Sequence, residues 1–105
     1  MSIDPLSTVL AAIADPTRRA ILARLAQGPA TVGEIAEPFA VSKPAISQHL
    51  KVLETAGLIA RSTEAQWRRC TFTPEPLDEV TRWIASRRTE WDSRIDRLEE
   101  HLRDT

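Results

Sequence analysis

The feature that most constrains this chain is a series of helix start signals spaced so closely that the helices between them must be short. Asp4-Pro5 and Asp15-Pro16 each set an N-cap acceptor before a proline, whose missing N–H costs nothing at the first position of a helix. Thr31 and Glu34 form a T-x-x-E capping box, and Ser42 caps a segment with Pro44 in its first turn. Apolar residues recur between these signals at helical spacing: Leu6, Val9, Leu10 and Ile13; Ala20, Ile21, Leu22 and Leu25; Val32, Ile35 and Ala36; Ile46, Leu50 and Leu53. Gly28-Pro29, Pro38 and Gly57 supply the stops. Only Phe39-Ala40-Val41 and the cap Ser42 separate the third helix from the fourth, which is the spacing of a helix-turn-helix.

Beyond Gly57 the pattern changes. Residues 58–62 and 67–73 read as two short strands around the polar tip Thr63-Glu64-Ala65-Gln66. Pro74 and Pro76 then open a long helix, in which Leu77, Ile84, Trp91 and Leu98 recur every seven residues and Val80, Ile95 and Leu102 fill the stripe. The stripe outruns what the core of a 105-residue chain can cover, and an apolar face with no partner in its own chain needs another chain. The expected fold is mainly α with a small β-hairpin, in the order α-α-α-α-β-β-α. It is a winged helix-turn-helix forming one domain over residues 1–105, with the helix-turn-helix at 31–57 and the wing at 58–73.

The formal net charge of −1 argues against a nucleic-acid partner until its distribution is considered. Residues 42–69 hold Lys43, Lys51, Arg61, Arg68 and Arg69 against only Glu54 and Glu64, whereas residues 70–105 hold six cations against nine carboxylates. The potential at a binding face is local, so a basic block beside an acidic one is compatible with DNA. No apolar run approaches the ~20 residues of a membrane span, and no secretory leader is apparent, so the expected location is the cytoplasm and no membrane partner is expected. Cys70 is the only cysteine, which excludes an intrachain disulfide and a thiolate metal cluster. There is no phosphate-binding glycine loop, no H-E-x-x-H and no nucleophile–histidine arrangement, so an enzyme is not expected.

Four segments, Ala14-Asp15-Pro16-Thr17-Arg18-Arg19-Ala20-Ile21-Leu22, residues 41–54 as a recognition helix, Ala56-Gly57-Leu58-Ile59 at its end, and Trp67-Arg68 in the wing, resemble the ArsR-type repressors. The resemblance runs in order through nearly the whole chain. It implies a winged-helix homodimer built on the first and last helices, here residues 1–14 and 75–103, that represses transcription at a near-palindromic operator, its own promoter being one candidate. The implied interface residues are Leu6, Leu10, Ile84, Trp91, Ile95, Leu98 and Leu102. The chain departs from the family's metal sensors. Residues 32–39 lack the C-x-C pair, and Asp78 is followed two residues on by Val80 where a D-x-H pair would place histidine. Tight binding of those metals needs thiolate or imidazole, so the chain looks like the non-metal, autorepressor-like branch, with no cofactor and no metal site.

In a helix-turn-helix the first residues of the second helix reach base edges. The expected DNA contacts are therefore Ser42, Lys43, Pro44, Ser47, Gln48, His49 and Lys51, with Arg61, Arg68 and Arg69 from the wing. Gln pairs with adenine, Lys with guanine, and wing arginines enter the minor groove or bind phosphate. Each has a plainer alternative: Ser42 as a cap only, His49 as a neutral histidine packed on the helix flank, and the cations as solvated charge. Thr17, Arg18 and Arg19 could hold a phosphate, and their plainer alternative is a structural role such as pairing with an acidic group of a partner subunit. Trp83 and Trp91 read as packing residues ahead of an aromatic ligand pocket, and Cys70 as a small buried hydrophobe. A different class of function, a winged-helix adapter that binds protein and not DNA, is favoured by the acidic last helix. The polar face Lys43/Ser47/Gln48 opposes it.

Overall fold

Each start signal caps the helix it precedes. A computed structural model describes residues 4–62 and 68–104. Asp4 accepts the Ser7 N–H at 2.8 Å and opens α1 (Pro5–Ile13); Asp15 accepts the Arg18 N–H at 3.0 Å and opens α2 (Pro16–Leu25). A two-residue strand, β1 (Ala30–Thr31), follows the Gly28-Pro29 stop. Thr31 and Glu34 close their capping box on α3 (Val32–Ala36), and Ser42 accepts the Ala45 N–H at 3.3 Å to open α4 (Lys43–Thr55). Strands β2 (Ile59–Arg61) and β3 (Arg69–Phe72) precede α5 (Glu75–Arg103).

The recognition segment ends by a mechanism already written in its sequence. Gly57 adopts φ 76, a left-handed conformation that costs least at glycine. The Gly57 N–H bonds the Glu54 carbonyl at 2.9 Å and the Leu58 N–H bonds the Leu53 carbonyl at 3.0 Å, closing a Schellman motif. Leu58 and Leu53 are both fully buried, so the turn is clamped by the core and delivers the chain into β2.

The wing is larger than the expected hairpin. β3 is the central strand of a three-stranded antiparallel sheet, paired on one side with β2 (Ile59↔Phe72, Arg61↔Cys70) and on the other with β1 (Ala30↔Cys70, Thr31↔Arg69). Two residues after a glycine–proline stop carry no strand periodicity, and only the long-range pairing with β3 reveals them as a strand. The expected tip, Thr63 to Gln66, and Trp67 at the start of the second expected strand lie outside the described residues.

One core joins these elements. Ile21, Ile35, Ile46, Leu50, Leu53 and Leu58 are completely buried, and Val9, Ala12, Leu25, Ala30 and Cys70 lie with them. The α5 helix joins this core only at its first turns, through Val80 and the half-buried Leu77, where it packs on α1. From residue 81 to residue 104 every residue is exposed. The overhang measures roughly 35 Å at 1.5 Å per residue. It raises the radius of gyration to 19.2 Å, against about 13 Å for a compact chain of this length.

Candidate nucleic-acid interface

The face of α4 opposite its buried stripe follows from helical geometry. At about 100° per residue, Ile46, Leu50 and Leu53 fall together on the core side. Pro44, Ser47, Gln48 and Lys51 fall on the far arc, Lys43 stands at the helix start about 60° of rotation from Ile46, and all five are exposed. Ser42 is exposed as well, and its hydroxyl is committed to the cap. The arc therefore presents short polar and cationic side chains around a rigid axis.

The sheet brings the expected wing cations to the edge of that arc. Ser47, Arg61, Ser62, Arg68 and Arg69 line a cleft of about 510 Å³ whose floor is Val32 and Cys70. Arg61 lies 3.8 Å from Glu54, and Arg69 contributes a positive field at Glu34. Glu34 is held below the ordinary carboxylate range chiefly by the Thr31 hydroxyl and then by the Thr31 N–H, with Arg24 and Arg69 adding to this. Arg68 is exposed at the lip of the cleft. Cys70 faces the core as expected, and burial pushes its thiol up, away from the reactive thiolate.

His49 is set apart from the other expected contacts. It lies about 100° of helical rotation beyond Gln48, toward the buried stripe, and its side chain is only 23% exposed. Its Nδ1 receives a hydrogen bond from the Arg18 guanidinium at 3.2 Å and lies 3.9 Å from Asp15 Oδ2. An arginine can only donate, so in this contact Nδ1 of His49 is the acceptor.

Arg18 and Arg19 have a structural role whose partners, within their own chain, sequence reasoning missed. A helix leaves its last four carbonyls open, and they sit at its negative end. Arg18 donates to the carbonyls of Ala11 and Ala12, and Arg19 donates to those of Ile13 at 2.7 Å and Ala14 at 3.0 Å. The Asp-Pro-Thr-Arg-Arg stretch is thus a two-way corner, in which Asp15 caps the helix ahead and the arginine pair closes the helix behind. Neither a phosphate nor a partner's acidic group is required to explain the pair. The available signal was a doubled arginine one turn after a helix stop.

The expected interface residues divide in two. Leu6 is half-buried against the protein's own core. Leu10, Ile84, Trp91, Ile95, Leu98 and Leu102 are exposed by 37–64%, and Trp83 by 46%. Trp83 and Trp91 thus lie outside the core of their own chain. Among the described residues no group of three or more His, Cys, Asp or Glu could hold a metal ion, and no helix is long and apolar enough to cross a membrane.

Comparison with known proteins agrees with this geometry. Residues 15–61 match the family described as bacterial regulatory protein, arsR family, a span that runs from the Asp15 cap through β2. The transcriptional repressor SdpR of Bacillus subtilis (strain 168) is 39% identical over 79 residues, covering 75% of this chain and 88% of that protein. An HTH-type transcriptional regulator of Mycobacterium tuberculosis (strain H37Rv), Rv2034, is 65% identical over 48 residues; the match spans 46% of this chain and 45% of that regulator's length. A crystal structure of an ArsR family transcriptional regulator superposes with a TM-score of 0.80 at 39% identity, covering 85% of this chain and 98% of that one. An ArsR-like transcriptional regulator from Rhodococcus sp. RHA1 gives 0.80 at 28% identity, covering 91% of each chain.

Proposed function

Because this chain belongs to the arsR family of bacterial regulatory proteins, we propose that it is a homodimeric, sequence-specific transcriptional repressor that reads duplex DNA with α4. The observation that carries the reading is the outer surface of α4, where Lys43 at its start and Pro44, Ser47, Gln48 and Lys51 on its far arc are all exposed beside the arginine-lined cleft of the wing. Gln48 and Lys43 suit base edges, Ser47 suits either a base or a phosphate, and Arg61, Arg68 and Arg69 suit the sugar-phosphate backbone. A face evolved to dock protein would be apolar at its centre; this one is not.

The dimer is supported by the overhang of α5. Six large apolar side chains stand on it uncovered, each worth about 1.5–3 kcal/mol when fully buried. A two-fold axis through paired α5 helices would set the two α4 helices in successive major grooves, so the operator should be a near-palindrome with half-sites about one helical turn apart. Occlusion of a promoter, including the protein's own, would then suffice for repression, and the site of action is the cytoplasm. The chain lacks the paired thiolates and imidazoles of a metal sensor, so the reading includes no metal inducer.

The test is a footprint and titration on the duplex upstream of the protein's own gene, with random-sequence duplex as control. Protection of a near-palindrome is expected, with log affinity falling linearly with log salt on both duplexes. Absence of binding to either duplex at low ionic strength would overturn the reading.

A further inference from the structure

The geometry points to Arg18 and His49 as a tether that sets the angle of the recognition helix against the α1–α5 platform, so that Arg18 acts as a positioning residue for DNA reading without touching DNA. The inference rests on the DNA-reading role proposed for α4 and adds to it the part that aims α4.

The Arg18 guanidinium is used on three sides. Two nitrogens hold the carbonyls of Ala11 and Ala12 at the open end of α1, and the third donates to Nδ1 of His49 on α4. Its own backbone N–H is held by Asp15. One side chain thereby links the end of α1, the start of α2 and the middle of α4. Because α1 packs on the first turns of α5, a continuous path runs from the helix that carries the uncovered apolar stripe to the helix that carries Gln48. Guanidinium is suited to the task, being planar, permanently charged and fixed in its donor directions.

This linkage matters because of what a dimeric reader must hold constant. Each half-site is read correctly only if α4 keeps one rotation and tilt relative to the two-fold axis. The core contacts of Ile46, Leu50 and Leu53 are non-directional, so they resist separation better than rolling. A directional bond from the flank of the helix resists rolling. His49 follows Gln48 directly, so a roll that breaks Arg18–His49 also turns Gln48 away from its base.

The experiment uses the full chain and the duplex that the wild-type protein selects from a random 30-base-pair library. His49→Leu leaves the α1 caps intact and removes the acceptor of Arg18 together with the 3.9 Å approach to Asp15. It should bind the selected duplex about tenfold more weakly, bind random duplex at low salt within twofold of wild type, and melt as a folded protein. His49→Asn, whose Oδ1 stands near the position of Nδ1, should recover most of the loss. Arg18→Gln should lose the same selectivity, and the double variant should lose no more than the larger single loss, because the two residues act as one unit. Unchanged selectivity in His49→Leu would overturn the tether. So would equal losses on both duplexes, which would make His49 a phosphate contact, or additive losses, which would make it a base contact independent of Arg18. If the wild-type protein selects no duplex, the DNA reading itself fails and the tether falls with it.

Discussion

The body of this protein and the far part of α5 obey opposite rules of burial. In the body, residues 4–80, apolar side chains from α1 to β3 close on one another until Ile21, Ile35, Ile46, Leu50, Leu53 and Leu58 have no exposure at all. In the overhang, residues 81–104, the same residue types recur at the same helical spacing and not one is buried. Of the nine large apolar side chains left exposed among the described residues, six are on the overhang: Trp83, Ile84, Trp91, Ile95, Leu98 and Leu102. The periodicity of a helix therefore states that a face will be covered, while the length of the chain decides whether its own core can do the covering. The body is a unit of folding, and the overhang carries the association proposed above.

The largest expected effect breaks the comparison at the overhang. Replacing Ile84 and Leu98 together by glutamate should convert a dimer to a monomer at micromolar concentration, read as a halved mass by light scattering. The body should keep its helical circular dichroism. A variant that stays dimeric would place the interface elsewhere. The next effect breaks the body. Leu50→Ala removes a completely buried side chain and should cost about 2–5 kcal/mol in urea unfolding, by lost transfer energy and the cavity left behind. A loss under 1 kcal/mol would mean that α4 is less firmly seated than its burial implies.

Two smaller effects sharpen the comparison within α4 and its neighbouring strands. Gln48→Ala should weaken binding to a selected duplex by about 1–3 kcal/mol and relax one operator position, leaving random DNA nearly unaffected. Arg68→Ala should weaken all duplexes alike and reduce the salt slope by about one. Exchange of these two patterns would reverse the assignment of base and backbone contacts.

Much of this was legible because it depends on neighbours in the chain. Asp4, Asp15, Thr31 and Ser42 act within three residues of themselves, and Gly57 within a few, so sequence spacing was enough to place four helices and their ends. The exposed arc Ser47/Gln48/Lys51 follows from the buried stripe beside it by periodicity alone, and Lys43 is exposed because it begins the helix. What sequence hid depends on distant partners. Ala30 and Thr31 become a strand only by meeting Cys70 and Arg69, and Arg18 finds His49 thirty-one residues away. Sequence leaves His49 between a DNA contact and a packed histidine for the same reason, since no local signal tells on which side of α4 a guanidinium waits.

The smallest expected effect is a pH dependence confined to the body. Asp4, Asp15 and Glu34 are all held below their ordinary values: Asp4 first by the Ser7 N–H, Asp15 first by the Arg18 N–H and then by His49 and Arg18, Glu34 first by the Thr31 hydroxyl. A depressed carboxyl contributes stability that is complete above its unfolded value and is lost as pH falls through its folded value. Conformational stability should therefore be insensitive to these groups near neutrality, begin to fall below the ordinary glutamate value of 4.5, and fall further below the aspartate value of 3.8. Asp15→Asn keeps a good N-cap but cannot titrate, so it should flatten the lower part of that acid limb while leaving stability at pH 7 nearly unchanged. An acid limb identical to wild type in that variant would show that the α1–α2 corner does not draw on the Asp15 charge, and would leave its stability to the two arginines that close α1.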